Sequence, residues 1–236
     1  MFKDKINNLP ILYSLRNCPY AMRARLAIFK SKQAIELRDV ILSNKPEEMI
    51  TASPKGTVPI LVLEREGEQS KVIDESLDIM LWVLGKSDPD DLLHKNLVNS
   101  DANTLTDILN LIATFDNEFK SQLEKYRCAK RYHENNLFEY RQGCEKHLQV
   151  IEERLNQHLF IISDKESLAD IALLPFIRQF ARVERQWYLQ APYPKLRQWL
   201  NNYLQSPMFS KVMTKYPLWL DSHEITIFGC SKKEMN

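Results

Sequence analysis

Cys18 stands where a thiol can do chemistry. It follows a short apolar run over residues 10–15 and a polar Arg16-Asn17 turn, and it precedes Pro19, which opens a stretch with helical spacing. Proline is favoured at the first helical position because its missing N–H would have no intrahelical partner there. The thiol is therefore expected to face unpaired backbone N–H groups and the positive end of a helix dipole, with Arg23 and Arg25 within two turns. Thiols in such surroundings ionise at roughly 3.5–7.5 instead of about 8.5, and the thiolate is the nucleophile. The structural alternative is a buried, inert cysteine closing a strand. Three positions on stands Ala21, so Cys18-Pro19-Tyr20-Ala21 cannot close a disulfide of its own. A mixed disulfide formed at Cys18 must then be resolved by an external thiol.

Two further places carry polar or conformational signals. Thr57-Val58-Pro59 opens a strand pattern. Taken alone it reads as a trans proline starting an edge strand, since only about 5–6% of X–Pro bonds in folded proteins are cis. Glu75-Ser76 opens a helix; such residues are ordinary caps, and the same position suits a carboxylate ligand on spare N–H groups. Lys45, in Asn44-Lys45-Pro46-Glu47, reads in isolation as a solvated surface lysine.

The elements that must position these residues fall into two groups. Residues 1–85 alternate short strand-like and helical patterns in the order βαβ then ββα, with a hairpin turning at Gly67 and a last helix stopped by Gly85. This predicts a small mixed sheet with helices on its faces. Residues 86–91 turn acidic and turn-like and read as a linker. Over residues 92–236 the strand signal nearly disappears. Residues 92–125, 135–159, 167–183 and 195–204 repeat apolar side chains at helical spacing, so an all-helical domain is expected. Ser167-Leu168-Ala169-Asp170 before an apolar run is a capping-box signature. Tyr126, Phe180, Trp187 and Tyr188 read as helix core, with an apolar acceptor site as the other reading.

Composition narrows the function classes. Lys plus Arg number 32 against 31 Asp plus Glu, a net charge of +1, which gives no general attraction to nucleic acid or to an anionic membrane. No apolar run is long enough to span a bilayer, and residues 1–10 lack the apolar core of a secretory signal. The four cysteines follow no disulfide or metal spacing. A reducing, cytoplasmic compartment and no metal are expected.

Read together, Cys18-Pro19-Tyr20-Ala21, Asn44-Lys45-Pro46-Glu47, Pro54-Lys55-Gly56-Thr57-Val58-Pro59 and Asp74-Glu75-Ser76 resemble the thioredoxin-fold half of the glutathione transferase superfamily, and within it the omega class and its bacterial relatives. Ser167-Leu168-Ala169-Asp170 and the run to Pro175 resemble the core helix of that superfamily's second domain. The resemblance covers about residues 9–220 and implies a thioredoxin-like α/β domain followed by an all-α bundle. It makes Cys18 the catalytic cysteine, carrying glutathione as a mixed disulfide. Tyr20, Lys45, Val58, Pro59, Glu75 and Ser76 become glutathione ligands: Val58 before a cis Pro59 meets the cysteinyl part, Glu75 and Ser76 hold the γ-glutamyl end, and Lys45 faces the glycyl carboxylate. Tyr126 and Trp219 become candidates for the acceptor site, and a homodimer is implied.

Two other functions compete. Direct conjugation of glutathione to electrophiles would use a hydroxyl from Tyr13 or Ser14. A non-catalytic interaction protein of the same fold, like the stringent starvation protein or the chloride intracellular channel proteins, would have no need of the Lys45 and Glu75-Ser76 set. The Cys18 turn favours a thiol transferase or reductase acting on a small oxidised or electrophilic acceptor.

Overall fold

β1 (Ile11–Ser14) is buried along its whole length, as a strand covered on both faces must be. In the computed structural model, which describes residues 8–63, 71–95 and 104–230, β1 is the centre of a mixed five-stranded sheet. β2 (Ile35–Asp39) runs parallel to it, with Ile11 opposite Glu36 and Ser14 opposite Asp39. β3 (Ile60–Val62) pairs antiparallel on the other side, followed by β4 (Val72–Ile73). A final strand, β5 (Thr226–Phe228), pairs antiparallel with β2, giving the order β4-β3-β1-β2-β5.

The β1–β2 crossover is α1 (Pro19–Ser31). It packs along α3 (Ser76–Lys86), and Gln33 Nε2 ties the two by donating to the Val83 carbonyl at 2.7 Å. On the sheet face carrying Ile11 and Tyr13, Met49 from α2 (Glu47–Ala52) joins Val40, Val58, Ile60 and Val62 in one cluster. The Gly67 turn lies outside the described residues. Gly85 does not stop α3, which continues to Lys86. A Cβ at Gly85 would meet nothing within 4 Å, so this glycine answers to no close approach and is tolerated inside the helix.

The described residues form two compact units: the chain up to Asp90 together with the chain from Pro207 onward, and Asp91–Ser206. This differs from the expected all-helical domain over residues 92–236. α10 (Pro207–Val212) packs on α1, α11 (Trp219–Ser222) follows, and β5 completes the sheet, so the last segment belongs with the first unit. Gly229 closes β5 at φ +97, where a Cβ would sit 1.9 Å from the Gln33 carbonyl oxygen; only glycine fits.

The second unit is helical. α4 (Thr104–Thr114) passes through a π-turn at Phe115–Phe119 into α5 (Lys120–Tyr132), then α6 (Leu137–Gln157), α7 (Leu168–Val183), α8 (Arg185–Gln190) and α9 (Pro194–Leu204). Residues 92–95 precede α4 without helical structure, and the part of the expected helix over residues 96–103 lies outside the described residues. The capping box of α7 forms as read. Fully buried Asp170 accepts from the Ser167 N–H and hydroxyl, both at 2.9 Å, and from the Ile161 N–H and Trp199 Nε1, both at 3.0 Å. Burial nonetheless pushes its carboxyl up to about 6, against the pull of those four donors.

Candidate active site

Cys18 is the residue that caps α1. Its backbone is extended (φ −75, ψ 125), its N–H donates to the Leu15 carbonyl at 2.9 Å, and its carbonyl accepts from Met22 at 2.9 Å. The side chain makes no capping bond to the helix, and Pro19 occupies the first turn. The thiol is partly buried against the Ile11–Val58–Ile60 cluster and faces the Val58 carbonyl oxygen, with Sγ 3.8 Å away. Two segments 40 residues apart thus meet at one sulfur. The Val58–Pro59 bond is cis, as the resemblance implies and against the trans reading of the residues alone.

Of the two arginines expected near the thiol, Arg25 serves another purpose. It is wholly buried, with Nε donating to Ser14 Oγ at 2.7 Å and Nη2 paired with Asp39 Oδ1 at 2.5 Å. Burial pulls the guanidinium down and pushes Asp39 up, while each partner opposes the other's shift. The pair joins α1 to the ends of β1 and β2, a structural tie. Arg23 is buried as well.

The hydroxyls of the competing mechanism are committed too. Ser14 is fully buried under Arg25. Tyr13 is 2% exposed, its hydroxyl accepts from Arg38 Nη1 at 2.9 Å, and burial pushes it up to about 12. Among the other cysteines, Cys144 is buried in α6 and pushed up to about 12, so it is inert.

The remaining expected ligands lie around the loop before β3. Gly56 adopts φ +60, a left-handed conformation that glycine takes without cost. Its missing Cβ leaves room for Lys45, whose Nζ would be 3.1 Å from that atom. Lys45 is exposed and lies over this glycine, one residue before the proline that leads into α2. Glu75 is the capping residue of α3 and is exposed; Ser76, the first helical residue, is buried. The Glu75 side chain makes no bond to its own helix and pairs instead with Lys55 Nζ. Ser53 Oγ donates to Asp74 Oδ2 at 2.8 Å, a second tie between the two segments. Tyr20 is exposed on the first turn of α1.

The two acceptor-site candidates have different surroundings. Tyr126 is fully buried in the helical unit, its ring tilted against Phe180 with centroids 5.4 Å apart, and its hydroxyl donates to Glu184 Oε2 at 2.8 Å. Phe180 also meets Trp187 and Tyr188 edge-on; Tyr126, Phe180 and Tyr188 are buried core, and Trp187 is half-buried beside them. Burial works to raise Glu184, but bonds from Tyr126 and Arg141 hold it below the usual carboxylate range. Trp219 belongs to the first unit. Its Nε1 donates to Glu48 Oε1 at 2.6 Å, and Arg38 Cζ lies 3.7 Å above its ring.

Sequence reading missed Lys55, Arg38 and Glu48. Arg38 donates to Glu36 at 2.7 Å and to Glu48 at 3.3 Å besides Tyr13 and Trp219. Its only local signal was a charged residue in a strand, which says nothing of partners in three other elements. Among the described residues no group of three or more His, Cys, Asp or Glu is placed to hold a metal, and no helix is long and apolar enough to cross a membrane.

Comparison with known proteins agrees with this architecture. The chain is 26% identical to the omega-1 glutathione S-transferase of Mus musculus over 205 residues, 84% of this chain and 78% of that protein. It is 38% identical to the omega-2 enzyme of Homo sapiens over 66 residues, 28% of this chain and 26% of that one. Among solved structures, a Pseudomonas fluorescens glutathione transferase family member with two glutathiones bound superposes with a TM-score of 0.72 at 18% identity, covering 87% of this chain and 92% of that one. A Phanerochaete chrysosporium transferase in complex with oxidised glutathione gives a TM-score of 0.71 at 19% identity, with coverage of 87% and 94%. These structural likenesses speak for the fold. Residues 12–90 match the glutathione S-transferase N-terminal domain and residues 107–202 its C-terminal domain, and on that ground the chain belongs to the glutathione S-transferase family.

Proposed function

We propose that the protein is a glutathione-dependent thiol transferase or reductase of the cysteine type, an omega-like member, with Cys18 as nucleophile. The observation that carries the reading is a contrast between side chains. Tyr13 and Ser14 hydroxyls are buried and bonded to Arg38 and Arg25, whereas Cys18 holds a partly exposed thiol at a helix N-terminus that its own side chain does not cap. The thiolate is the nucleophile that disulfide exchange requires. Glutathione lies along residues 56–58, its γ-glutamyl end at Glu75 and Ser76 and its glycyl carboxylate toward Lys45, with Tyr20 beside the thiol.

The reaction balances in two exchanges. The Cys18 thiolate attacks the glutathionyl sulfur of a mixed disulfide, forms the Cys18–glutathione bond and releases the acceptor as a thiolate that takes up a proton. A second glutathione, as thiolate, attacks that bond, leaves as glutathione disulfide and returns Cys18 to its thiolate. Ala21 at the position of a second cysteine makes the external thiol obligatory. The acceptor class is a small oxidised or electrophilic molecule. Cytoplasmic placement and a homodimer complete the reading; the first is supported by Cys18, Cys128, Cys144 and Cys230 forming no disulfide, the second by family membership.

The test is Cys18→Ser, assayed in parallel for mixed-disulfide reduction and for conjugation to an aryl halide, each with glutathione. Serine cannot form the covalent intermediate, so reduction should vanish while glutathione binding persists. Reduction at the parental rate would overturn the cysteine mechanism.

A further inference from the structure

Lys55 has no role in the reading above, yet it reaches the residue expected to hold one end of glutathione. It stands between Ser53, bonded to Asp74, and Gly56, and its Nζ pairs with Glu75 Oε1. Asp74 adds to the attraction that Lys55 feels. The start of α3 therefore presents two adjacent carboxylates with one lysine folded over them. A γ-glutamyl end is a zwitterion, with an ammonium and a carboxylate on the same carbon, in a ligand that is anionic overall. Asp74 and Glu75 suit the ammonium and repel the carboxylate. The partial positive charge at the N-terminus of α3, about half a unit, does not by itself offset two full negative charges beside it. Beside the Ser76 position already given to the same end of the ligand, a cation on that side offsets the repulsion.

We infer that Lys55 is that cation: it is a binding residue for the α-carboxylate of a γ-glutamyl ligand, reached when the ligand's ammonium takes over Glu75. The inference rests on the glutathione-binding reading above and extends it to a residue that reading leaves out. Lys55–Glu75 is an exposed pair with side chains 45% and 63% accessible, and pairs of this kind hold their partners weakly. An incoming ammonium and carboxylate can therefore exchange with it at small cost. The exchange leaves four alternating charges: Glu75 to ammonium, carboxylate to Lys55. Lys45, whose Nζ lies beside Gly56, is the residue already assigned to the glycyl carboxylate, so Lys55 is the lysine left for the other one.

The experiment is calorimetric titration in a Cys18→Ser background, which prevents covalent trapping. The ligands are glutathione, its analogue lacking the α-carboxylate (4-aminobutyryl-cysteinylglycine) and its analogue lacking the α-ammonium (glutaryl-cysteinylglycine). Lys55→Met should weaken glutathione about fivefold to tenfold, the range of one charge-assisted bond at a partly solvated site, and weaken the ammonium-free analogue as well. It should leave the carboxylate-free analogue unchanged or tighter, and Lys55→Arg should restore most of the loss. Equal weakening of all three ligands would assign Lys55 to loop geometry and overturn the inference, as would unchanged glutathione affinity. A Cys18→Ser protein that binds no glutathione would instead bring down the proposed function on which the inference stands. Lys55 is exposed, so loss of folding does not compete with these outcomes.

Discussion

The N-termini of α1 and α7 are the same physical object used in opposite ways. Each presents backbone N–H groups that no carbonyl of its own helix can satisfy. At α7 the chain fills them: Ser167 and Asp170 form a capping box, and Asp170 also takes the Ile161 N–H and the Trp199 indole. At α9 the task falls to Glu152, reaching from α6 to the N–H groups of Lys195 and Leu196 at 3.0 and 2.7 Å. At α1 the capping residue is Cys18, whose side chain makes no such bond, and at α3 it is Glu75, whose carboxylate turns away to Lys55. An end closed by the chain is structural. An end whose capping side chain makes no bond to the helix leaves the helix dipole facing outward, where a ligand's negative charge can meet it.

Removing the closing carboxylate should have the largest effect on stability. Asp170→Ala leaves four donors facing a buried void, and we expect a loss of about 3–5 kcal/mol in urea unfolding. Cys18→Ser should stay within about 1 kcal/mol of the parent in the same experiment, because no structural bond depends on capping by that side chain. If the two variants unfold alike, the division into closed and open ends fails.

The second effect is in pH. Asp170 has a folded pKa of about 6, above the unfolded 3.8, so the native state binds its proton more tightly. The contribution is fully present below the unfolded value and is lost as pH rises through the folded one. A shift of this size amounts to up to about 3 kcal/mol. The parent should therefore lose stability relative to Asp170→Asn between pH 4 and pH 6, the window bounded by those two values. A difference independent of pH would show the carboxylate ionised throughout.

What was legible in the sequence follows from distance along the chain. Ser167 and Asp170 are three residues apart, and Cys18 and Pro19 are neighbours, so each pattern could be read as one local signal. Lys55 and Glu75 are 20 residues apart, and Trp219 and Glu48 are 171 apart; no spacing rule joins them. β5 is three residues long and borrows its order from β2, which precedes it by nearly the whole chain. Arg25 misled for a related reason. Its position about two turns from Cys18 suggested a charge near the thiol, but the side chain of a buried helix face points into the sheet, where Asp39 and Ser14 meet it. Periodicity predicted a small mixed sheet followed by helices; the resemblance added its thioredoxin-like identity and the cis Val58–Pro59 bond, which the residues alone read as trans.

The smallest expected effect bears on the hydroxyl that competes with Cys18. Tyr13→Phe removes one hydrogen bond, the acceptor that Arg38 Nη1 finds at 2.9 Å, and keeps the ring in the cluster with Ile11, Val58 and Ile60. Arg38 retains Glu36, Glu48 and the Trp219 face, so its guanidinium is not orphaned. The cost should be about 1 kcal/mol, the net worth of one such bond. Mixed-disulfide reduction should be unchanged, since burial pushes the phenol up to about 12 and its oxygen is turned to Arg38. The neighbouring Ser14→Ala is a harsher change, because it strips a bond from a buried guanidinium, and its effect would mix folding with chemistry. Tyr13→Phe is therefore the cleaner probe: a large fall in turnover at nearly parental stability would move the reaction from the open end of α1 to the strand before it.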